Sequence, residues 1–285
     1  MKKILCLFAG LLLFISASFA SGEKEFLNII RKNAADFEIK QSQYYKNSLD
    51  NAEGAKEVAF LKLYLDYFDY FKKNTQYYHA HPQLDINYKF AKNNREECKK
   101  YGVGFNVSEG SWYITEDYNM LMNTKGIPQT WFEWLSLQQK YSLKHEEVCE
   151  KAFRKGRMCE GGTMTYKEME QAIADLENVE KQSDVIFSIR AEDYSYIPYT
   201  SFNLLRDYLL GNDLRPVYDM DENWQYSKLK KEVQKSYSHF AKNHKNSKYW
   251  FIINGYYTKL KDNNFESSDD ISLWVFDELQ KIQNF

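Results

Sequence analysis

Apolar residues recur at helical spacing along most of this chain. In "EFLNIIRKNAADFEIK", Phe26, Ile29, Ile30 and Phe37 share one stripe, and in "AKEVAFLKLYLDYFDYFKKNTQYY", Leu61, Tyr64, Leu65, Phe68 and Phe71 recur at steps of three and four. Aromatic stripes at that spacing predict core packing between helices. A polar break at "HAHPQLD" precedes a predicted helix through Cys98. The period then changes. Val103, Phe105 and Val107 alternate, Ser108-Glu109-Gly110 turns, and Trp112 and Ile114 alternate back, which predicts a β-hairpin over about residues 103–114 as the only β-structure of note. A two-stranded ribbon is marginal alone, so its apolar face must pack against helices.

Helix-start signals follow. Thr130 with Glu133, and Thr165 with Glu168, fit capping boxes. Gly161-Gly162 marks a break, giving a helical region with the hairpin at 21–162 and a second helical region at 163–285. The second region reads as "YKEMEQAIADLENVEKQ", "YTSFNLLRDYLLG", "YSKLKKEVQKSYSHFAKNH", "KYWFIINGYYTKLKDN" and "DDISLWVFDELQKIQ" joined by short polar turns. The predicted fold is mainly α, an antiparallel helical array with one small β-hairpin.

The first twenty residues change the picture of where the chain works. Lys2-Lys3, the apolar run Ile4 to Ile15 and the small residues Ser18 and Ala20 make the three-part pattern of a secretory signal, cut after Ala20. The apolar run is shorter than the ~20 residues a membrane span needs. Ser21 stands where a lipoprotein would need Cys, so the expectation is a periplasmic or secreted chain with no transmembrane anchor after cleavage. The 38 basic and 40 acidic residues are evenly mixed, and phosphate binding needs a concentrated basic face, so a nucleic-acid partner is not expected. Aromatics make up 17% of the chain, but Lys, Asn and Ile are also abundant, as AT-rich coding produces, so composition does not single out a sugar ligand. Past the signal, Cys98, Cys149 and Cys159 form an odd set. In an oxidising compartment Cys149 and Cys159, flanking "EKAFRKGRM", are the candidate disulfide, with Cys98 an alternative member.

"VQKSYSHFAKNHKNSKYWFIINGYYTKLKDN", residues 233–263, resembles one tetratricopeptide-like unit of bacterial envelope proteins: Tyr237 and Phe240 precede a turn with Ser247, and a second helix opens on Tyr249. Lys245 or Asn246 stands where such units carry a turn proline, and there are no clean copies at a 34-residue period. The wider pattern, from the hairpin through "LLGNDLRPVYD" to this unit, resembles a family of secreted bacterial helical proteins of uncharacterised function. The resemblance implies helical pairing and a role in holding other molecules.

Candidate chemistry is sparse. Glu109 on its turn, with Asp117 or Glu133 as a second carboxyl, could make the acid pair of a glycan hydrolase. Yet Ser-Glu-Gly is ordinary turn chemistry and Glu116-Asp117 ordinary helix-start chemistry. Trp112, Tyr113, Trp131 and Trp134 are the aromatic candidates for binding. His79-x-His81 is the close histidine pair, with His145-Glu146-Glu147 as potential further ligands, but no His-Glu-x-x-His is present. Asp219-x-Asp221-x-Asn223 opens like a calcium loop, but Trp224 and Lys230 occupy the positions that need Gly and Glu. No metal and no cofactor is therefore assigned. "YGVGF" lacks the third glycine of a dinucleotide loop, and no Gly-x-Ser-x-Gly elbow occurs. The leading expectation is an exported, non-catalytic binding or scaffolding protein of the bacterial cell envelope whose partner is a protein or a cell-wall component. The alternatives are a cell-wall glycan hydrolase using Glu109 as general acid, and an inhibitor or immunity-type protein presenting the 108–112 hairpin tip.

Overall fold

The computed structural model describes the backbone of residues 2–81, 88–108, 111–154, 164–187, 200–211, 217–220 and 226–283. Side chains are described within 22–81, 89–105, 112–141, 164–186, 200–211, 217–219 and 228–282. Among these residues the chain is mainly helical, with two small antiparallel strand pairs. The elements run α1 (Lys2–Ser48), α2 (Glu53–Ala80), α3 (Tyr88–Lys100), β1 (Val103–Ser108), β2 (Ser111–Glu116), α4 (Asn119–Met122), α5 (Gln129–Arg154), α6 (Tyr166–Glu180), α7 (Asp184–Phe187), α8 (Ser201–Leu210), β3 (Tyr218–Met220), β4 (Tyr226–Leu229), α9 (Lys231–Asn243), α10 (Trp250–Asp262) and α11 (Asp269–Gln283). Among the described residues no helix is long and apolar enough to cross a membrane. The chain divides into two compact units, one of residues 1–139 and 146–159 and one of residues 140–145 and 160–285.

The first unit is built on α1 and α2. On α1, Phe26, Ile30, Ala34, Phe37, Tyr44 and Ser48 are buried, at the three-, four- and seven-residue steps that keep side chains on one helix face. Phe37 meets Tyr67 and Tyr70, Tyr44 meets Phe60, and Phe26 meets Tyr77 and Tyr78, so numbers rise on one helix as they fall on the other. The pair is antiparallel. The buried stripe of α2 is Phe60, Leu63, Tyr64, Tyr67, Tyr70 and Phe71, rotated from the predicted one, and Leu61, Leu65 and Phe68 lie only half-buried at its edge. Apolar residues on adjacent positions make both stripes continuous, and the partner helix decides between them. Trp131, Trp134 and Leu135 of α5 close this core against Phe60 and Tyr64.

The second unit centres on α6, which packs on both α8 and α9, while α10 packs on α9 and α11. Its start at Thr165 is the predicted capping box: Thr165 Oγ1 accepts from the Glu168 N–H and Glu168 Oε2 accepts from the Thr165 N–H at 2.9 Å. Thr165→Ala is therefore expected to lower stability by about 1 kcal/mol, read as a shifted midpoint in urea with an unchanged slope. The other predicted box is not formed. α5 starts two residues earlier, with Pro128 O accepting from the Phe132 N–H, and the Thr130 hydroxyl donates to Glu57.

The second strand pair corrects the expectation of a single hairpin. Residues 226–229, predicted as the start of a helix, form β4 against β3. Around them the Leu229 N–H donates to Phe265 O and the Lys230 N–H to Val217 O, so the chain is held extended until α9 begins at Lys231. Along the sequence the two strands are only three and four residues long. That is too short for an alternating pattern to declare itself.

Candidate functional site

The stretch singled out by its change of period is the hairpin β1–β2. Its register pairs Val103 with Glu116, Phe105 with Ile114, Val107 with Trp112 and Ser108 with Ser111. The chain thus reverses between Ser108 and Ser111, and the candidate acid Glu109 lies outside the described residues. Residues directly opposite in an antiparallel pair share a face. Val103, Phe105 and Ile114 therefore turn one apolar face inward, where Phe90 of α3 meets Phe105 at 5.8 Å between ring centroids.

Glu116 belongs to that same inward face, at the end of the Trp112–Ile114–Glu116 alternation. Its Oε1 is buried and has no hydrogen-bond partner among the described residues, while Oε2 receives a long 3.4 Å bond from Thr115 Oγ1. Loss of water around the carboxyl pushes its pKa up to about 7, and the backbone and Thr115 hydrogen bonds offset little of that rise. Asp117, the other predicted candidate, is buried as well. Its Oδ1 accepts from the Asn119 N–H at 3.0 Å and its Oδ2 from Gln139 Nε2 at 3.2 Å. Burial raises its pKa, opposed by those hydrogen bonds and by Lys99. Asp117 thus secures the exit of the hairpin to α4 and α5.

The entry is secured from α2. Tyr67 Oη donates between the carbonyls of Gly102, at 2.8 Å, and Asp117, at 3.0 Å, and the Tyr70 hydroxyl donates to Tyr101 O. Gly102 sits at φ +68°, in the left-handed region, where α3 ends with its N–H donating to Lys99 O. The base of the hairpin is thereby clamped at both strands by one tyrosine. Burial first, and then the nearby Glu116 carboxyl, hold the Tyr67 hydroxyl well above its usual pKa, so it remains a donor.

The four candidate binding aromatics separate. Tyr113 is exposed and Trp112 half-buried, with Trp112 O accepting from Tyr78 Oη at 3.3 Å. Trp131 and Trp134 are core residues, edge to face with each other at 5.7 Å. Both were candidates for binding, and α5 turns both inward. Cys98 is a buried free thiol, pushed up to about 12 by burial. The Cys149–Cys159 pairing lies outside the described side chains. His81 Nδ1 lies 2.7 Å from Tyr77 O and its ring stacks on Tyr77 at 4.1 Å, so this histidine closes the end of α2. Of Asp219, Asp221 and Asn223, only Asp219 has a described side chain, and it is exposed.

Three carboxylates escaped the sequence reading altogether. Glu170, Glu177 and Glu180 are buried on α6 beside Met169, Ile173 and Leu176. Glu177 accepts from the Lys248 N–H at 2.6 Å and from Ser247 Oγ at 2.5 Å, just ahead of α10. Glu180 accepts from the Ser201 N–H at 2.8 Å and from the Ser201 hydroxyl, at the start of α8. Both stand where helix N-termini favour negative charge. Glu170 meets His239 and His244 at the opposite kind of helix end. The legible signal was their place inside the apolar stripe of "YKEMEQAIADLENVEKQ".

No family model, curated protein or solved structure matches this chain. Among the described residues the class of architecture is a mainly helical chain of two units with two small strand pairs.

Proposed function

We propose that the protein is an exported, non-catalytic binding or scaffolding module of the bacterial cell envelope that takes an amphipathic helix or an extended peptide of a partner protein. The supporting observation is the outer surface of the last two helices. Phe251 on α10 is 64% exposed, and Leu273 and Phe276 on α11 are 61% and 50% exposed. Phe251 stands 6.5 Å from the half-buried ring of Trp274, and Gly255 admits that ring so closely that a Cβ there would lie 2.6 Å from it. Large apolar side chains left exposed on helix surfaces lose free energy in water and favour covering partners. The signal pattern of residues 1–20 supports export. The engagement of both Asp117 oxygens in holding the hairpin speaks for a structural use of that carboxylate.

The test places a photo-crosslinking amino acid at position 251 or 276 in the full chain expressed in cells, with position 242 on α9 as control. A discrete adduct from 251 and 276 and none from 242 is expected. Absence of any adduct at 251 and 276 sinks the reading. So does release of soluble muropeptides from purified peptidoglycan by the native protein, which would make it a hydrolase.

A further inference from the structure

Among the described residues one group of histidine and carboxylate ligand atoms gathers within 4.8 Å: Glu170, His239 and His244. We propose that these three residues form a binding site for a divalent transition metal of the zinc class, with one coordination position open to solvent. The site lies wholly in the second unit and does not depend on the partner-binding reading above.

The geometry is close to that of a bound ion. Glu170 Oε1 lies 3.2 Å from His244 Nε2 and 2.5 Å from His239 Nδ1. Ligand atoms at zinc bond lengths in a tetrahedral site stand about 3.3 Å apart. The Glu170–His244 distance already meets this. The Glu170–His239 contact is a hydrogen bond that opens by about 0.8 Å on metal entry, and the His239 side chain, 59% exposed, has room to turn. Four residues separate the two histidines, inside the range common for paired histidine ligands of zinc.

Three further features favour a cation. Glu170 is only 3% exposed, so its charge needs a positive partner. His239 lies in the last turns of α9 and His244 follows its end, with the His244 N–H on Phe240 O. A helix C-terminus carries partial negative charge, which opposes a bare carboxylate and attracts a cation. Behind the carboxylate, Ser236 Oγ stands 3.1 Å from Glu170 Oε2 and 2.7 Å from Tyr208 Oη. A Tyr208-to-Ser236-to-Glu170 chain of donors would fix the carboxylate orientation, as outer partners do for metal ligands. Two imidazoles and one carboxylate leave a fourth position on the exposed side of His239, the arrangement of a zinc centre that can take water or a further ligand.

The test is equilibrium dialysis of the purified full-length protein against zinc with metal analysis, followed by the absorption spectrum of the cobalt(II) form. One zinc per chain is expected, with visible cobalt bands typical of low coordination number. His239→Ala removes a mostly exposed ring and should keep the far-ultraviolet circular dichroism of the native protein. It is expected to weaken zinc binding more than about tenfold, as is His244→Ala, whereas His79→Ala should change nothing. Failure to retain zinc above background overturns the proposal. Equal retention by folded His239→Ala overturns it too, since the ion would then lie elsewhere.

Discussion

Glu116→Gln is expected to stabilise the protein by about 2–3 kcal/mol at pH 8 and to change it little at pH 4. The cause is the position of Glu116 on the apolar face of the hairpin, opposite Val103, with Oε1 buried and without a partner among the described residues. Its pKa stands at about 7, against an ordinary 4.5 in the unfolded chain. Between those two values the folded protein keeps a proton that the unfolded chain releases. Stability therefore falls as pH rises through that window. Below 4.5 both states are protonated and Glu116 imposes no cost. Above 7 the folded state must carry a poorly hydrated charge. Glutamine has no proton to lose, so its curve should lack the part of the decline that Glu116 causes. Urea unfolding of both proteins at pH 4, 6 and 8 measures the difference. Parallel curves, offset equally at all three values, would show that the carboxyl remains ionised and hydrated in the fold.

Gly102→Ala is expected to cost about 2–3 kcal/mol. At φ +68° an L-residue strains its own backbone, and a Cβ there would stand 2.9 Å from the Tyr67 ring and 3.3 Å from Asp117 O. The Tyr67 ring cannot retreat without loosening its hydroxyl from the two carbonyls that it holds. The substitution thus attacks the hairpin base from within. Thermal unfolding followed by tyrosine fluorescence should report it, and a loss under about 0.5 kcal/mol would mean that the turn relaxes freely.

The helices were legible because their apolar residues repeat at a fixed step, and the hairpin because its step changes to two. What sequence could not settle was which of two adjacent stripes on α2 faces inward, since Leu61 and Leu65 are as apolar as Phe60 and Leu63 and only the facing α1 chooses. β3 and β4 were missed because pairing across a short span, rather than local pattern, keeps them extended. Trp131 and Trp134, two of the four aromatic candidates for binding, occupy core positions of α5. At the hairpin, attention went to Glu109 on the turn. The alternation itself pointed to Glu116, which falls in phase with Trp112 and Ile114. His79-x-His81 is the close histidine pair in sequence, whereas His239 and His244, five positions apart at the end of α9, become neighbours of a third ligand only through Glu170 on α6.

The three glutamates of α6 also bear on how the second unit distinguishes its native arrangement from near misses. Each one accepts hydrogen bonds from a different segment: Glu170 at the end of α9, Glu177 ahead of α10, Glu180 at the start of α8. An apolar stripe alone would tolerate sliding, because one turn of displacement, about 5.4 Å, brings similar side chains into similar holes. With the carboxyl groups in place the same slip strands three buried polar groups at once, at a cost of about 1–3 kcal/mol or more for each. α6 therefore acts as a keyed shaft: its neighbours engage at one setting, and the settings on either side are closed to them.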